Sequence, residues 1–411
     1  MNLFSGEKFY LWGLAATLTV SSIVKWEPAA FDLLILVMLV WGMAAGFLRK
    51  PSAALRWPMV LLALFLLTNS WYFFHHPYSP DATRFFTISV YCILLWFFFV
   101  LILDYFKLRG LHYILFGCAL SGILSFCAGT MAYTVGFRAD LLLYKGHRVA
   151  GLFKDPNVFG PYMIPILIFG LALLWSGVNR HSWMVKAALV AGTVGVVISF
   201  SRAAWLNMVI ALIAFFSLLA LNKCKIKPGV PKNIIGCGLA ILFFLIAINI
   251  FNPNLEQTIT GRLGSNHGRE NTQLPQLTLQ YYDVYRFSAQ RQALEMSLVN
   301  PWGIGPGQTF PALDYDTHNT YLRTALENGW LGFFSFTGFL LISLLNALRL
   351  SIRQGSRYRL IYISTSAILL GIVANSFFID TLHWRHFWII LALAWIDFDK
   401  DTNYEGRELW S

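Results

Sequence analysis

Residues 85–104 read FFTISVYCILLWFFFVLILD, a run in which no charge appears before the closing Asp104. A helix needs about twenty apolar residues to cross the hydrocarbon of a bilayer, roughly 30 Å thick. The run shows none of the alternating polarity of a barrel strand, so it reads as a membrane-crossing helix. Similar runs fill most of the chain: 9–24, 29–48, 57–74, 111–136, 158–176, 184–199, 203–221, 233–251, 328–348, 360–379 and 384–398. Composition agrees, with 57% hydrophobic and 16% aromatic residues. Charged residues make up only 12%, against about 25% in soluble domains. The expectation is an all-α polytopic membrane protein of about twelve transmembrane helices, folded as one integral membrane domain over residues 1–411.

Lys25, Trp26 and Glu27 follow the first run where a signal peptide would carry small cleavage-site residues, so that run is expected to stay as an anchor. Basic residues stay on the cytoplasmic side of a membrane protein. With the N-terminus inside, Arg49, Lys50, Lys107, Arg109, Lys186, Lys223, Arg353 and Arg357 all fall on inside connections. The five cysteines lie in predicted spans or in one inside loop, and none implies an external disulfide. Two outside segments are long, 137–157 and 252–327, and the second, between spans nine and ten, is expected to contain helices. In it, Val284, Phe287, Ala293, Leu294, Met296 and Leu298 recur at near-helical spacing, and Asn300-Pro301-Trp302-Gly303-Ile304-Gly305-Pro306-Gly307 then reads as a tight turn offering backbone N–H groups.

Cations that the orientation rule leaves outside need another explanation. Lys25 and Arg84 fit snorkelling to headgroups. Arg202 does not: it sits in Ser199-Phe200-Ser201-Arg202, a very short connection between two apolar spans, where a charge calls for an anionic partner. A phosphate suits arginine, whose planar fork donates two hydrogen bonds at once. His147, Arg148, Lys154 and Asn157 form a second cluster just before span six. Arg286 and Arg291 form a third, and on a helix their spacing sets them about 140° apart, so that one can face a site while the other does not. Three such clusters on one face could gather two phosphates. His318 and Asn319 stand at the entry to span ten. An imidazole can take a proton at neutral pH, and Asn319 could orient it or bind sugar hydroxyls. Arg323 and Glu327 are spaced to pair, and Gly329 and Gly332 would admit a neighbouring helix. A metal site at Asp314, Asp316 and His318 is the competing chemistry.

These residues resemble the signatures of the O-antigen ligase family, within the wider superfamily that also holds O-antigen polymerases. His318-Asn319, then nine residues, then Gly329-Trp330-Leu331-Gly332 is similar to the ligase pattern, and Arg202 to Leu206 to its Arg-x-x-x-Leu companion. The Gly151–Asn157 segment and the Arg286 helix leading into Pro301–Gly305 are similar as well. The resemblance implies a metal-independent, GT-C-like glycosyltransferase of the bacterial inner membrane, with its site on the periplasmic side and no cofactor. It also implies a glycan donor on undecaprenyl diphosphate and a lipid A-core acceptor, with membrane lipids around it and no nucleic acid. Arg148, Lys154, Arg202, Arg286 and Arg291 would hold the donor diphosphate, and His318 would take the acceptor's proton. A polymerase is the near alternative and a lipid-linked glycan transporter the distant one.

Overall fold

The computed structural model describes residues 3–75, 79–144, 148–177, 182–224, 235–243, 246, 279–353 and 355–400. The helices are α1 (Leu3–Thr19), α2 (Ala30–Ala44), α3 (Arg56–His75), α4 (Pro80–Val135), α5 (Ala139–Leu142), α6 (Pro156–Trp175), α7 (Ser182–Ile198) and α8 (Arg202–Leu221). They continue as α9 (Leu279–Val299), α10 (Thr309–Leu313), α11 (Thr320–Ser351), α12 (Arg359–Asn375) and α13 (Arg385–Leu393). The one small sheet among the described residues pairs β1 (Leu143–Tyr144) with β2 (Arg148–Val149) in antiparallel register. Among the described residues five helical stretches are long and apolar enough to cross a membrane: Ala53–Tyr72, Pro80–Val135, Pro156–Trp175, Arg202–Leu221 and Thr320–Ser351. The chain is an all-α membrane protein.

Two helices depart from the expected spans, each for a visible backbone reason. The runs at 85–104 and 111–136 both lie in α4, which is broken at Lys107, where φ is 48° and ψ −124°. The run at 328–348 lies in α11, which begins earlier, at Thr320, and is broken at Gly329. The run at 384–398 yields only α13, nine residues long, or roughly 14 Å at 1.5 Å per residue, less than half the hydrocarbon thickness. Of the ninth run only residues 235–243 and 246 are described, all helical, and most of the 252–327 loop before α9 lies outside the described residues.

Packing is tightest where small residues let backbones meet. A Cβ on Gly117 of α4 would lie 2.5 Å from the Ala15 carbonyl oxygen of α1, and one on Gly160 of α6 would lie 2.8 Å from Ala204 of α8. Such close approach is how apolar helices associate without a hydrophobic drive between them. α6 is buried along most of its length between α7 and α8, and α12 lies against α8 and α11. The result gathers one set of helix ends: the starts of α6, α8, α11 and α13 and the ends of α7 and α12.

Candidate functional site

The first constraint on this end of the bundle is the break in α11. An unbroken helix would bond the Leu326 carbonyl to the Trp330 N–H. Gly329, at φ 64° and ψ −175°, prevents it. Three of the freed groups are taken by the 300–307 turn: Ile304 N donates to Leu326 O at 2.9 Å, Gly305 N to Glu327 O at 2.9 Å, and Trp330 N to Pro301 O at 2.9 Å. The fit admits no side chain on either glycine, since a Cβ on Gly329 would lie 2.3 Å from Pro301 O and one on Gly303 2.4 Å from Glu327 O. This corrects two expectations. Gly329 admits a loop, not a helix, and the N–H groups of Ile304 and Gly305 serve α11 and not a ligand. Gly332 does face a helix, with Thr68 of α3 at 2.8 Å from its would-be Cβ.

The first segment of α11, held this way, carries a buried ionic network. Arg323 Nε donates to Glu327 Oε1 at 3.0 Å, the pairing expected from their spacing, and a second guanidinium nitrogen bonds Asp380. The same Glu327 oxygen accepts from Thr309 Oγ1 at 2.7 Å. Asp380 lies 3.9 Å from His383 Nδ1, and the Phe85 ring covers both Arg323 and His383. Burial pushes the His383 imidazole down to about 4, with Arg323 adding to the effect, so it is neutral at pH 7. Asp380 and His383 were not anticipated from the sequence. They sit alone in a connection after an apolar run, and only the fold brings them to Arg323.

His318 occupies the extended approach to α11 with φ 47°, left-handed for a non-glycine residue. Its ring packs edge-on against Tyr315, with centroids 5.6 Å apart. Burial lowers its basicity first and the nearby Arg286 guanidinium second, while Asp316, Asp155 and Asp380 pull the other way. The net shift is downward, so the imidazole is neutral and able to accept a proton near pH 7. Gln290 of α9 donates to Thr317 O at 3.0 Å, tying the Arg286 helix to this segment.

The remaining candidates divide. Arg148 is buried on β2, its Nε donating to Ser199 O at 3.2 Å and its Nη2 to Asn157 Oδ1 at 2.9 Å. It thereby joins the turn between α7 and α8 to the start of α6, where Asp155 caps the helix by accepting from Asn157 N at 2.7 Å. Arg202 opens α8 just beyond that turn, with its side chain exposed. Asp155 at the start of α6 and Arg286 of α9 both act on His318 electrostatically. Arg291 is exposed and bonded to Glu295 at 2.9 Å. Lys154 turns to Glu27 at 3.0 Å, an acid it shares with Arg84. Asn319 is committed as the cap of α11, its Oδ1 accepting from Tyr321 N and Leu322 N at 3.0 Å each. His147 lies outside the described residues. Among the described residues no three His, Cys, Asp or Glu side chains are grouped to hold a metal ion, and Asp314 and Asp316 are both exposed.

The arrangement is a neutral imidazole within electrostatic reach of the Arg286 guanidinium at one end of a helical bundle, suited to taking a proton next to a developing anion. A search of curated proteins returned no match to the chain. A family model described as O-antigen ligase matches residues 187–337, a stretch that contains Arg202, Arg286, His318 and the Gly329 break. Over that stretch the chain is similar to the O-antigen ligase family.

Proposed function

We propose that the chain is an O-antigen ligase, transferring a glycan from undecaprenyl diphosphate to a sugar hydroxyl of lipid A-core. The observation that carries the reading is the electrostatic influence of Arg286, and of Asp155 at the start of α6, on His318, within or beside the family-matched stretch. In the proposed step the acceptor oxygen attacks the anomeric carbon from the face opposite the diphosphate, and His318 takes the hydroxyl proton. The bond to the diphosphate oxygen breaks, configuration inverts, and the electron pair leaves as phosphate charge. Arg148, Arg202 and Arg286 stabilise that charge as it grows, which lowers the barrier more than it tightens ground-state binding. Ser199 and Asn157 fix the plane of the Arg148 guanidinium for this purpose. The diphosphate link supplies the driving energy, so the reaction needs no nucleotide and no metal.

On this reading the chain forms one GT-C-type domain of about twelve spans in the bacterial inner membrane, with the site end facing the periplasm. Reconstitution with lipid-linked donor and purified rough lipopolysaccharide is the test, and glycan-capped lipopolysaccharide is the expected product. A deletion strain distinguishes the neighbouring activity. Bare core with full-length polymer left on the carrier supports a ligase, whereas core carrying single repeats overturns it in favour of a polymerase.

A further inference from the structure

Asn207 of α8 and Asn375 of α12 are both fully buried, and among the described residues neither the oxygen nor the nitrogen of either side-chain amide has a hydrogen-bond partner. A buried amide with nothing to bond is costly, the more so between membrane helices, where no bulk water replaces the missing bond. Polar side chains in such interfaces ordinarily bond across to the next helix. α8 and α12 do pack on each other. The Asn207 amide lies directly on Gly371 of α12, where a Cβ would meet Asn207 Oδ1 at 2.3 Å. Asn375 stands one turn further along the same stripe of α12, roughly 6 Å away along the axis.

The two helices run in opposite directions, α8 beginning and α12 ending at the site end. Helix side chains lean toward their own N-terminus, so Asn207 leans toward the site end and Asn375 away from it, each toward the other's level. The same two helices carry separate halves of the candidate site. Arg202 opens α8 five residues before Asn207, close to Ser199, whose carbonyl accepts from Arg148. The end of α12 is fastened to the start of α11. Thr320 N donates to Ser376 O and Tyr321 Oη to Val373 O, both at 2.9 Å, and the Ser376, Thr381 and Thr320 hydroxyls form a chain at 2.7 and 3.1 Å. His318 stands two residues before Thr320. A slide of α12 along α8 therefore moves His318 relative to Arg202 and Arg148.

We propose that Asn207 and Asn375 are positioning residues: in the closed state from which transfer proceeds, α12 shifts against α8, the two amides hydrogen-bond to each other, and the His318 segment is held in register with the Arg202 turn. Shifts of about 1–2 Å between packed helices are usual in switching proteins, and with both side chains leaning together such a shift brings the amides within bonding range. The resting chain leaves both amides unpaired, so the bond belongs to the closed state alone and raises the rate more than the affinity. Neither residue touches substrate. The inference rests on the transferase reading and adds to it the way the two halves of the site are drawn together.

The test uses the full chain in nanodiscs with lipid-linked donor and rough lipopolysaccharide. Asn207→Leu and Asn375→Leu replace each amide by an apolar side chain of similar size. Their unfolding temperatures should equal or exceed the native value, because the resting chain loses no bond. Their kcat should fall roughly five- to tenfold, the worth of one hydrogen bond, with KM within about twofold. The double variant should be no slower than either single one, since the amides act as one pair. Asn207→Ala and Asn375→Ala add no bulk beside Gly371 and give the same kinetic series if leucine proves too large. Native rates in the folded variants, or single losses that multiply in the double variant, overturn the proposal. If the native chain transfers nothing, the transferase reading falls and this inference with it, whereas native transfer with unaltered variants removes this inference alone.

Discussion

Gly329→Ala tests whether the break in α11 organises the site end. At φ 64° and ψ −175° the residue occupies backbone space that is essentially glycine's alone, and placing a side chain there costs about 1–3 kcal/mol. The new Cβ would also meet Pro301 O at 2.3 Å and the Trp302 carbonyl carbon at 2.5 Å. Those are backbone atoms of a loop that can only retreat. Retreat gives up the three backbone hydrogen bonds of Ile304, Gly305 and Trp330, each worth about 0.5–1.5 kcal/mol. It also strands the carbonyls of Leu326 and Glu327, both on buried residues. The combined loss is roughly 2.5–7.5 kcal/mol, near the top of what single substitutions do. Thermal unfolding in nanodiscs should drop by several degrees, and transfer should fall with it because Arg323 and Glu327 ride on the loosened segment. Gly338→Ala, on the same helix with Leu61 at 3.7 Å, is the matched control and should change neither. If Gly329→Ala unfolds and transfers like the native chain, the insertion of the 300–307 turn into α11 does not hold the site.

Four further substitutions probe the charges. The acid limb of the transfer rate should lie below the ordinary histidine range, because burial and Arg286 lower His318 and its neutral form is the active one. Arg286→Gln removes one lowering influence and should move that limb to higher pH, whereas Asp316→Asn removes a raising one and should move it lower. Profiles of kcat/KM against pH decide this, and limbs that shift the same way in both variants would detach His318 from the rate. Arg323→Met leaves Glu327 and Asp380 buried without their shared cation and should cost about 3–5 kcal/mol of stability, read by unfolding temperature. Arg291→Ala should leave donor affinity and rate within twofold, since that side chain faces solvent against Glu295; a tenfold loss would return it to the site.

Much of this architecture is legible in sequence because hydrophobic runs and charge placement act locally. The 85–104 run, the short Ser199–Arg202 connection and the Arg323–Glu327 spacing each correspond to an observed feature. The Arg286 and Arg291 spacing told that one could face inward, and of the two Arg286 acts on His318 while Arg291 is exposed and paired with Glu295. What escaped depends on partners far apart in the chain. The role of Gly329 is set by Pro301 and Gly303, and Asp380 and His383 acquire meaning only when α12 brings their connection against Arg323. Asn319 satisfied a simpler need first, capping a helix whose opening N–H groups lack partners.

The central claim is that His318 accepts the acceptor's proton. His318→Asn is the fitting substitution, because asparagine tolerates the left-handed backbone that His318 adopts, at φ 47°, and removes only the base. Single-turnover transfer by the purified variant, with donor binding measured alongside, should show native-like binding and a rate lowered by about 10²–10⁴-fold. Transfer at the native rate would contradict the claim.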